Sequence, residues 1–192
     1  MNASLLSFIQ LLIYLNFPDI GYPSNSNLED DGEKIMIGNP APDFSLADLD
    51  GDSLSLSSLR GDFVVIHIAT TWCPFCNAEA PYLEELYRQY KDKRVQVLII
   101  DVKEPKDLVQ AKLQERFNLS FPVLLDLDGS VAASYAPPGV LPDLARDEVM
   151  LASNLLIDPE GKIQFLSLLD SKNFDAKLVD LKKRLDELLA AD

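Results

Sequence analysis

From Ile35 onward the chain alternates short, densely apolar runs with longer stretches that carry an apolar stripe at helical spacing. Phe44-Ser45-Leu46-Ala47-Asp48-Leu49 alternates apolar and polar, Asp50-Gly51 is a turn signal, and Leu54, Leu56 and Leu59 follow. This pattern predicts a β-hairpin. Phe63-Val64-Val65-Ile66-His67-Ile68-Ala69 is nearly all apolar, as in a strand covered on both faces. After Cys73, Leu83, Leu86, Tyr87 and Tyr90 mark one face of a helix, with Pro81 expected to kink it. Val95 to Val102 predicts a second buried strand, and Leu108, Val109, Leu113 and Phe117 a short amphipathic helix. Phe121 to Leu125 predicts a third strand, ended by Asp126-Leu127-Asp128-Gly129. Leu155-Leu156-Ile157 and Ile163 to Leu169 flank an Asp158-Pro159-Glu160-Gly161 turn as an antiparallel pair. Leu178, Leu181, Leu185 and Leu188 stripe a last helix; under two heptads long, it is expected to dock on the sheet rather than to form a coiled coil. The order is hairpin, β-α-β-α-β, then β-β-α. That alternation implies an α/β domain with a parallel sheet core, right-handed crossovers and trailing antiparallel strands.

The first 33 residues read differently. Residues 4–17 are mostly apolar, too short to span a bilayer comfortably and of the length of a secretory signal's apolar part. No Lys or Arg precedes Lys34, so the usual positive start is missing. The alternative is an upstream extension or a loose helix packed on the domain. Residues 19–33 form a polar linker with five acids and no base. The expected organisation is therefore a leader and acidic linker over 1–33 and one domain over 34–192. Export, to a periplasm or beyond, is expected, with a cytoplasmic location as the alternative, and a membrane is met only through the apolar segment.

Composition narrows the chemistry. With 47% apolar residues, 192 residues fill one core. The net charge is −14, from 31 acids and 17 bases, and −9 of it falls on the domain after residue 33. Such a chain is poorly suited to gripping phosphate backbones, so no nucleic-acid partner is expected. Two cysteines, Cys73 and Cys76, and one histidine, His67, exclude a disulfide scaffold and fit no common zinc finger.

Thr71-Trp72-Cys73-Pro74-Phe75-Cys76 sits where a buried strand gives way to a helix. Cys-x-x-Cys at that junction is a redox signal. A cysteine at a helix N-terminus meets unpaired N–H groups and the positive end of the macrodipole, which favour its thiolate. Cys76 follows one turn later, within disulfide reach, and Pro74 suits the first turn. Cys73 is expected to be the exposed attacking thiol and Cys76 the buried resolving one. Trp72 is expected to cover the pair and Phe75 to form part of the substrate surface. A structural disulfide, or half of a metal site shared across a dimer, are the alternatives.

Gly38-Asn39-Pro40-Ala41-Pro42-Asp43-Phe44-Ser45-Leu46, Leu56-Ser57-Ser58-Leu59-Arg60-Gly61, Trp72-Cys73-Pro74-Phe75-Cys76, Glu79, Pro81, Phe121-Pro122-Val123-Leu124-Leu125-Asp126 and Leu156-Ile157-Asp158-Pro159-Glu160-Gly161-Lys162-Ile163 together resemble the TlpA/ResA-like thiol–disulfide oxidoreductases. These belong to the thioredoxin-fold superfamily that also holds the peroxiredoxins of the AhpC/TSA type. The resemblance spans about residues 36 to 187. It implies a thioredoxin-like fold with an N-terminal β-hairpin extension, and dithiol–disulfide exchange with no cofactor beyond a redox-active Cys73–Cys76 disulfide. It also implies protein thiol or disulfide substrates and an upstream dithiol electron donor, with the direction expected to be reductive and the protein expected to be a monomer. An acid at the position of Glu79 lies near the active site in this family and tunes proton traffic. His67 stands six residues before Cys73, where thioredoxins keep a buried acid, and an imidazole there would take the proton of Cys76; the alternative is a core histidine hydrogen-bonded to backbone.

One departure is clear. The family's cis-proline, which with Pro74 and Phe75 would shape the substrate groove, falls here on Ala152, and the residues from Leu141 to Leu151 look rebuilt. A cis bond before a non-proline costs about 2.5–4 kcal/mol, so a trans bond is expected. The departure raises a second reading, a peroxiredoxin-like peroxidase. Thr70 suits it, but Ile66 stands where a proline is wanted, and the nearest arginine, Arg146, is six residues from its place. A thioredoxin-fold binding module with cysteines that never cycle is a third.

Overall fold

The computed structural model describes residues 37–191, so the leader and linker expected over 1–33 lie outside the described residues. Among the described residues seven strands form: β1 Ser45–Ala47, β2 Ser53–Ser55, β3 Phe63–Ala69, β4 Val95–Val102, β5 Val123–Asp126, β6 Ser153–Ile157 and β7 Ile163–Ser167. The helices are α1 Pro74–Tyr90, α2 Lys106–Val109, α3 Ser130–Ser134, α4 Arg146–Val149 and α5 Val179–Ala191.

β1 and β2 pair antiparallel, Leu46 against Leu54. Asp48 closes their turn by accepting the amides of Asp50 and Asp52 at 2.8 and 2.9 Å. Here the sequence reading needs trimming: Leu56–Leu59 is not part of the hairpin arm but a 3-10 turn, capped when Ser55 accepts the amide of Ser58.

The main sheet has the order β5-β4-β3-β6-β7. β3, β4 and β5 are parallel, and β6 and β7 are antiparallel additions. This is the mixed α/β sheet that the strand–helix alternation implied. Every residue of β3 is buried because both of its faces are covered. Phe63, Val65 and Ala69 pack with Leu83, Leu86 and Tyr90 of α1 and with Leu181 and Leu185 of α5. Val64, Ile66 and Ile68 pack with Leu56, Ala132, Tyr135 and Met150. Burying an aliphatic side chain on such a face stabilises by about 1.5–3 kcal/mol, and only a continuous apolar run exploits both faces.

Two helical expectations change. Leu108 is exposed, and α2 passes into one π-type turn over Gln110–Glu115, which redirects the stripe onto Val109 and Leu113. Leu178 precedes α5 in a left-handed conformation (φ 57°), yet it is buried with Leu181 and Leu185 as the stripe predicted. The rebuilt segment before β6 is tied down by Arg146, whose guanidinium donates to the carbonyls of Val140 and Pro137.

Candidate active site

β3 ends at Ala69, and α1 begins at Pro74 after a four-residue loop. Cys73 is the N-cap of α1, with φ −74° and ψ 115°. Its sulfur accepts the amide of Cys76 at 3.3 Å, the contact an N-cap side chain makes with the third helical amide. Pro74 occupies the first position of the helix. The backbone of Cys73 donates to Thr70 at 3.2 Å.

Both cysteines are free thiols, and both are buried: Cys73 is 4% exposed and Cys76 1%. The expectation of an exposed Cys73 therefore fails. The capping geometry folds its sulfur back over the first turn instead of outward. Trp72 is not a cover for the pair either, since it is 67% exposed and outside both cores. Pro74 is exposed, and Phe75 is half-buried with its ring 4.9 Å from that of Phe174, edge to face.

The two thiols are driven apart in acidity. A hydrogen bond from the Cys76 thiol, together with backbone amides, lowers Cys73 to about 6 against the opposing effect of burial. Cys76 is raised, first by that same hydrogen bond, then by burial and by the charge of Cys73. Glu79 reaches the same locality from the second turn of α1. Burial raises its carboxyl to about 8; a hydrogen bond from Asn154 opposes this, and the charges of Cys73 and Asp175 add to it. Glu79 in turn raises Cys76 through its charge.

His67 and Asn154 face each other across β3 and β6. His67 Nδ1 lies 3.0 Å from Asn154 Oδ1, and Asn154 Nδ2 donates to Glu79 Oε1 at 2.9 Å. The second carboxyl oxygen, Glu79 Oε2, is 3.3 Å from His67 Nδ1 but without hydrogen-bonding geometry, and it is left unpartnered. Because Asn154 must donate to Glu79, its oxygen accepts from His67, which places the imidazole proton on Nδ1. Burial pushes His67 down to about 4, so it is neutral and a weak base. It is a core histidine, as the alternative reading had it, held by the side chain of Asn154 and the backbone of Ser153.

A cavity of about 220 Å³ opens against Glu79, lined also by Ala152, Asn154, Phe165, Phe174 and Asp175. Ala152 has φ +59°, and among the described residues no peptide bond is cis. Its N–H donates to Ile68 at 2.8 Å, extending the β3–β6 ladder where the family's proline would leave it open. Thr70 is buried with its hydroxyl unpartnered, and Arg146 is spent on the Pro137–Val140 loop, away from the thiols.

Sequence reasoning thus named Cys73, Cys76, Glu79, His67 and Ala152, and the fold gathers them. It missed Asn154, whose only signal was a polar residue next to Ser153 at the head of an apolar strand. It also missed Asp101, the single acid closing the run of β4, now 1% exposed with both oxygens unpartnered. Among the described residues no group of three or more His, Cys, Asp or Glu is arranged to hold a metal ion, and no helix is long and apolar enough to cross a membrane.

Comparison with known proteins places this geometry. The sequence model of the AhpC/TSA family matches residues 37–166. The thiol-disulfide oxidoreductase ResA of Geobacillus thermodenitrificans is 35% identical over 154 residues, 80% of this chain and 82% of that protein. ResA of Geobacillus kaustophilus is 37% identical over 145 residues, 76% of each chain. Among solved structures, the thioredoxin domain of a thiol-disulfide oxidoreductase from Bacteroides vulgatus superposes with a TM-score of 0.59 at 26% identity, covering 77% of this chain and 96% of that one. A secreted Mycobacterium tuberculosis disulfide oxidoreductase homologous to E. coli DsbE shares the fold, with a TM-score of 0.60 at 24% identity over 75% of this chain and 95% of that one. The chain belongs to the AhpC/TSA family of the thioredoxin fold and, within it, is a ResA-like thiol–disulfide oxidoreductase.

Proposed function

We propose that the Cys73-Pro74-Phe75-Cys76 dithiol reduces disulfides of protein substrates. The observation that carries this reading is the split in acidity between the two thiols, with Cys73 at about 6 and Cys76 raised. At neutral pH the Cys73 thiolate attacks a substrate disulfide, forming a mixed disulfide and releasing the first substrate sulfur as a thiolate that takes a proton from water. The charge on Cys73 is then gone. Burial raises Glu79 most and that charge adds to it, so with the charge gone the carboxyl becomes a stronger acid and gives its proton to water. The Glu79 carboxylate accepts the proton of Cys76, and the Cys76 thiolate attacks the Cys73 sulfur. The second substrate sulfur leaves as a thiolate that takes the proton from Glu79, the substrate departs as a dithiol, and the enzyme holds a Cys73–Cys76 disulfide. An upstream dithiol donor of two electrons restores the start.

Glu79 takes the proton in this scheme and His67 does not, because a base at about 4 is too weak at neutral pH. Asn154 holds the carboxyl in place, and His67 holds Asn154. The reductive direction is supported by a Cys73 value of about 6, nearer the ~7 of thioredoxin than the ~3.5 of the strong oxidant DsbA. The peroxidase reading loses support because Arg146 is bound elsewhere. The proposal includes a monomer working outside the cytoplasm, supported by the apolar run at 4–17.

The equilibrium potential of the pair tests the direction. A value near about −250 to −300 mV is expected, and one near about −120 mV would make the protein an oxidant. Cys76→Ser is expected to accumulate mixed disulfides with protein partners and Cys73→Ser to form none. A Cys76→Ser variant that captures no protein contradicts the proposed substrate class.

A further inference from the structure

The four residues joining β3 to α1 are held from outside by one carboxylate. Glu104 lies two residues past the end of β4 and is 8% exposed. Its Oε1 accepts the Thr71 hydroxyl at 2.7 Å, and its Oε2 accepts the Thr71 backbone amide. From the opposite side, Asn77 Nδ2 donates to the Thr71 carbonyl at 3.0 Å. All three polar groups of Thr71 are thus engaged, two residues before Cys73. The parallel register that sets Ala69 beside Asp101 brings the ends of β3 and β4 together, which is how Glu104 reaches the loop.

We propose that Glu104 is a positioning residue for Cys73: by clasping Thr71 it fixes the β3–α1 loop in the conformation that places the Cys73 sulfur on the Cys76 amide. This rests on Cys73 being the attacking thiol, as proposed above. The electrostatics of the location support a dedicated role. Glu104 sits beside Asp101, a carboxyl that burial, and then the charge of Glu104, push up to about 8. Putting a second acid beside a buried one is costly, and a neutral Ser or Asn could tie down an ordinary loop. A carboxylate alone accepts two bonds from one residue in a rigid fork and donates none. The N-cap contact to Cys73 needs that rigidity, since a cap sulfur makes its bond only from an extended backbone.

The test is the pH dependence of Cys73 alkylation by iodoacetamide in the reduced full chain, mapped by mass spectrometry, for Glu104→Gln, Thr71→Val and Thr71→Ser. Gln offers one acceptor and turns an NH2 toward a Thr71 donor. With the cap loosened, Cys73 is expected to titrate higher in Glu104→Gln, so alkylation at pH 6 slows by about three- to tenfold, the size of a weakened N-cap bond. Thr71→Val, which removes one of the two bonds, shifts the same way by less, and Thr71→Ser matches the parent. Through-space electrostatics gives the opposite sign, because deleting a nearby negative charge makes Cys73 more acidic. A lower or unchanged titration in Glu104→Gln overturns the proposal, whatever happens to its melting temperature. If Glu104→Gln does not fold, Thr71→Val against Thr71→Ser decides by the same readout. Failure of the reductase reading is separate: it appears as an absence of mixed disulfides in Cys76→Ser, a variant with Glu104 and Thr71 intact.

Discussion

Glu79 offers a sharp test of the site's electrostatics. Its carboxyl is 2% exposed, keeps one oxygen unpartnered, and is raised from 4.5 to about 8. A carboxyl raised on folding favours the native state below its unfolded value, and that contribution is lost as pH rises from about 4.5 through about 8. At 1.36 kcal/mol per tenfold difference in proton affinity, the native state has given up about 2 kcal/mol by pH 6 and about 4.5 kcal/mol by pH 8.5. Glu79→Gln keeps the oxygen that Asn154 bonds and removes the titration. Its stability relative to the parent is therefore expected to climb by about 2.5 kcal/mol between pH 6 and pH 8.5. The assay is urea unfolding of both proteins, fully reduced, at several pH values across that window. Taking the difference cancels Asp101, which slopes the same way, and His67, whose lowered value contributes stability that is lost as pH falls from 6.5 to about 4. A difference that stays flat within ~0.5 kcal/mol over the window refutes the reasoning, since it would mean that Glu79 folds without changing its proton affinity.

Other outcomes follow from the same geometry. Ala152→Pro, the change that would match the family's residue, is expected to destabilise by more than about 2 kcal/mol in chemical unfolding, because φ +59° is closed to proline and the bond to Ile68 is lost. Ala152→Gly is expected to gain about 0.5–1 kcal/mol, as glycine adopts that conformation without strain. Alkylation of Cys73 is expected to rise through a midpoint near pH 6, with Cys76 unreactive throughout the neutral range; equal rates for the two thiols would contradict their split. Gly161→Ala is expected to lower the melting temperature measurably, since φ +84° disfavours any side chain and the added methyl would displace the Arg60 guanidinium packed over that turn.

Much of the fold was written in one-dimensional pattern. β3 and β4 match the apolar runs Phe63–Ala69 and Val95–Val102 residue for residue, because a strand covered on both faces tolerates no polar alternation. The cysteine pair was legible for a similar reason: two cysteines three apart at a strand-to-helix junction are a local feature, and the helix N-terminus that acidifies one of them is local too. What surrounds the pair was not legible, because it is assembled from segments far apart in the chain. Asn154 meets Glu79 across 75 residues and His67 across 87. Glu104 meets Thr71 across 33. Only the register of β3 against β4 and β6 decides these meetings. The burial of Cys73, the left-handed backbone at Ala152 and the raised carboxyl of Glu79 depend on the same packing. The sequence by itself determined which strands are buried and which two sulfurs stand one helical turn apart. The tertiary structure alone decided which groups lie in the low-dielectric space beside those sulfurs, and proton affinities are set by that neighbourhood rather than by residue type.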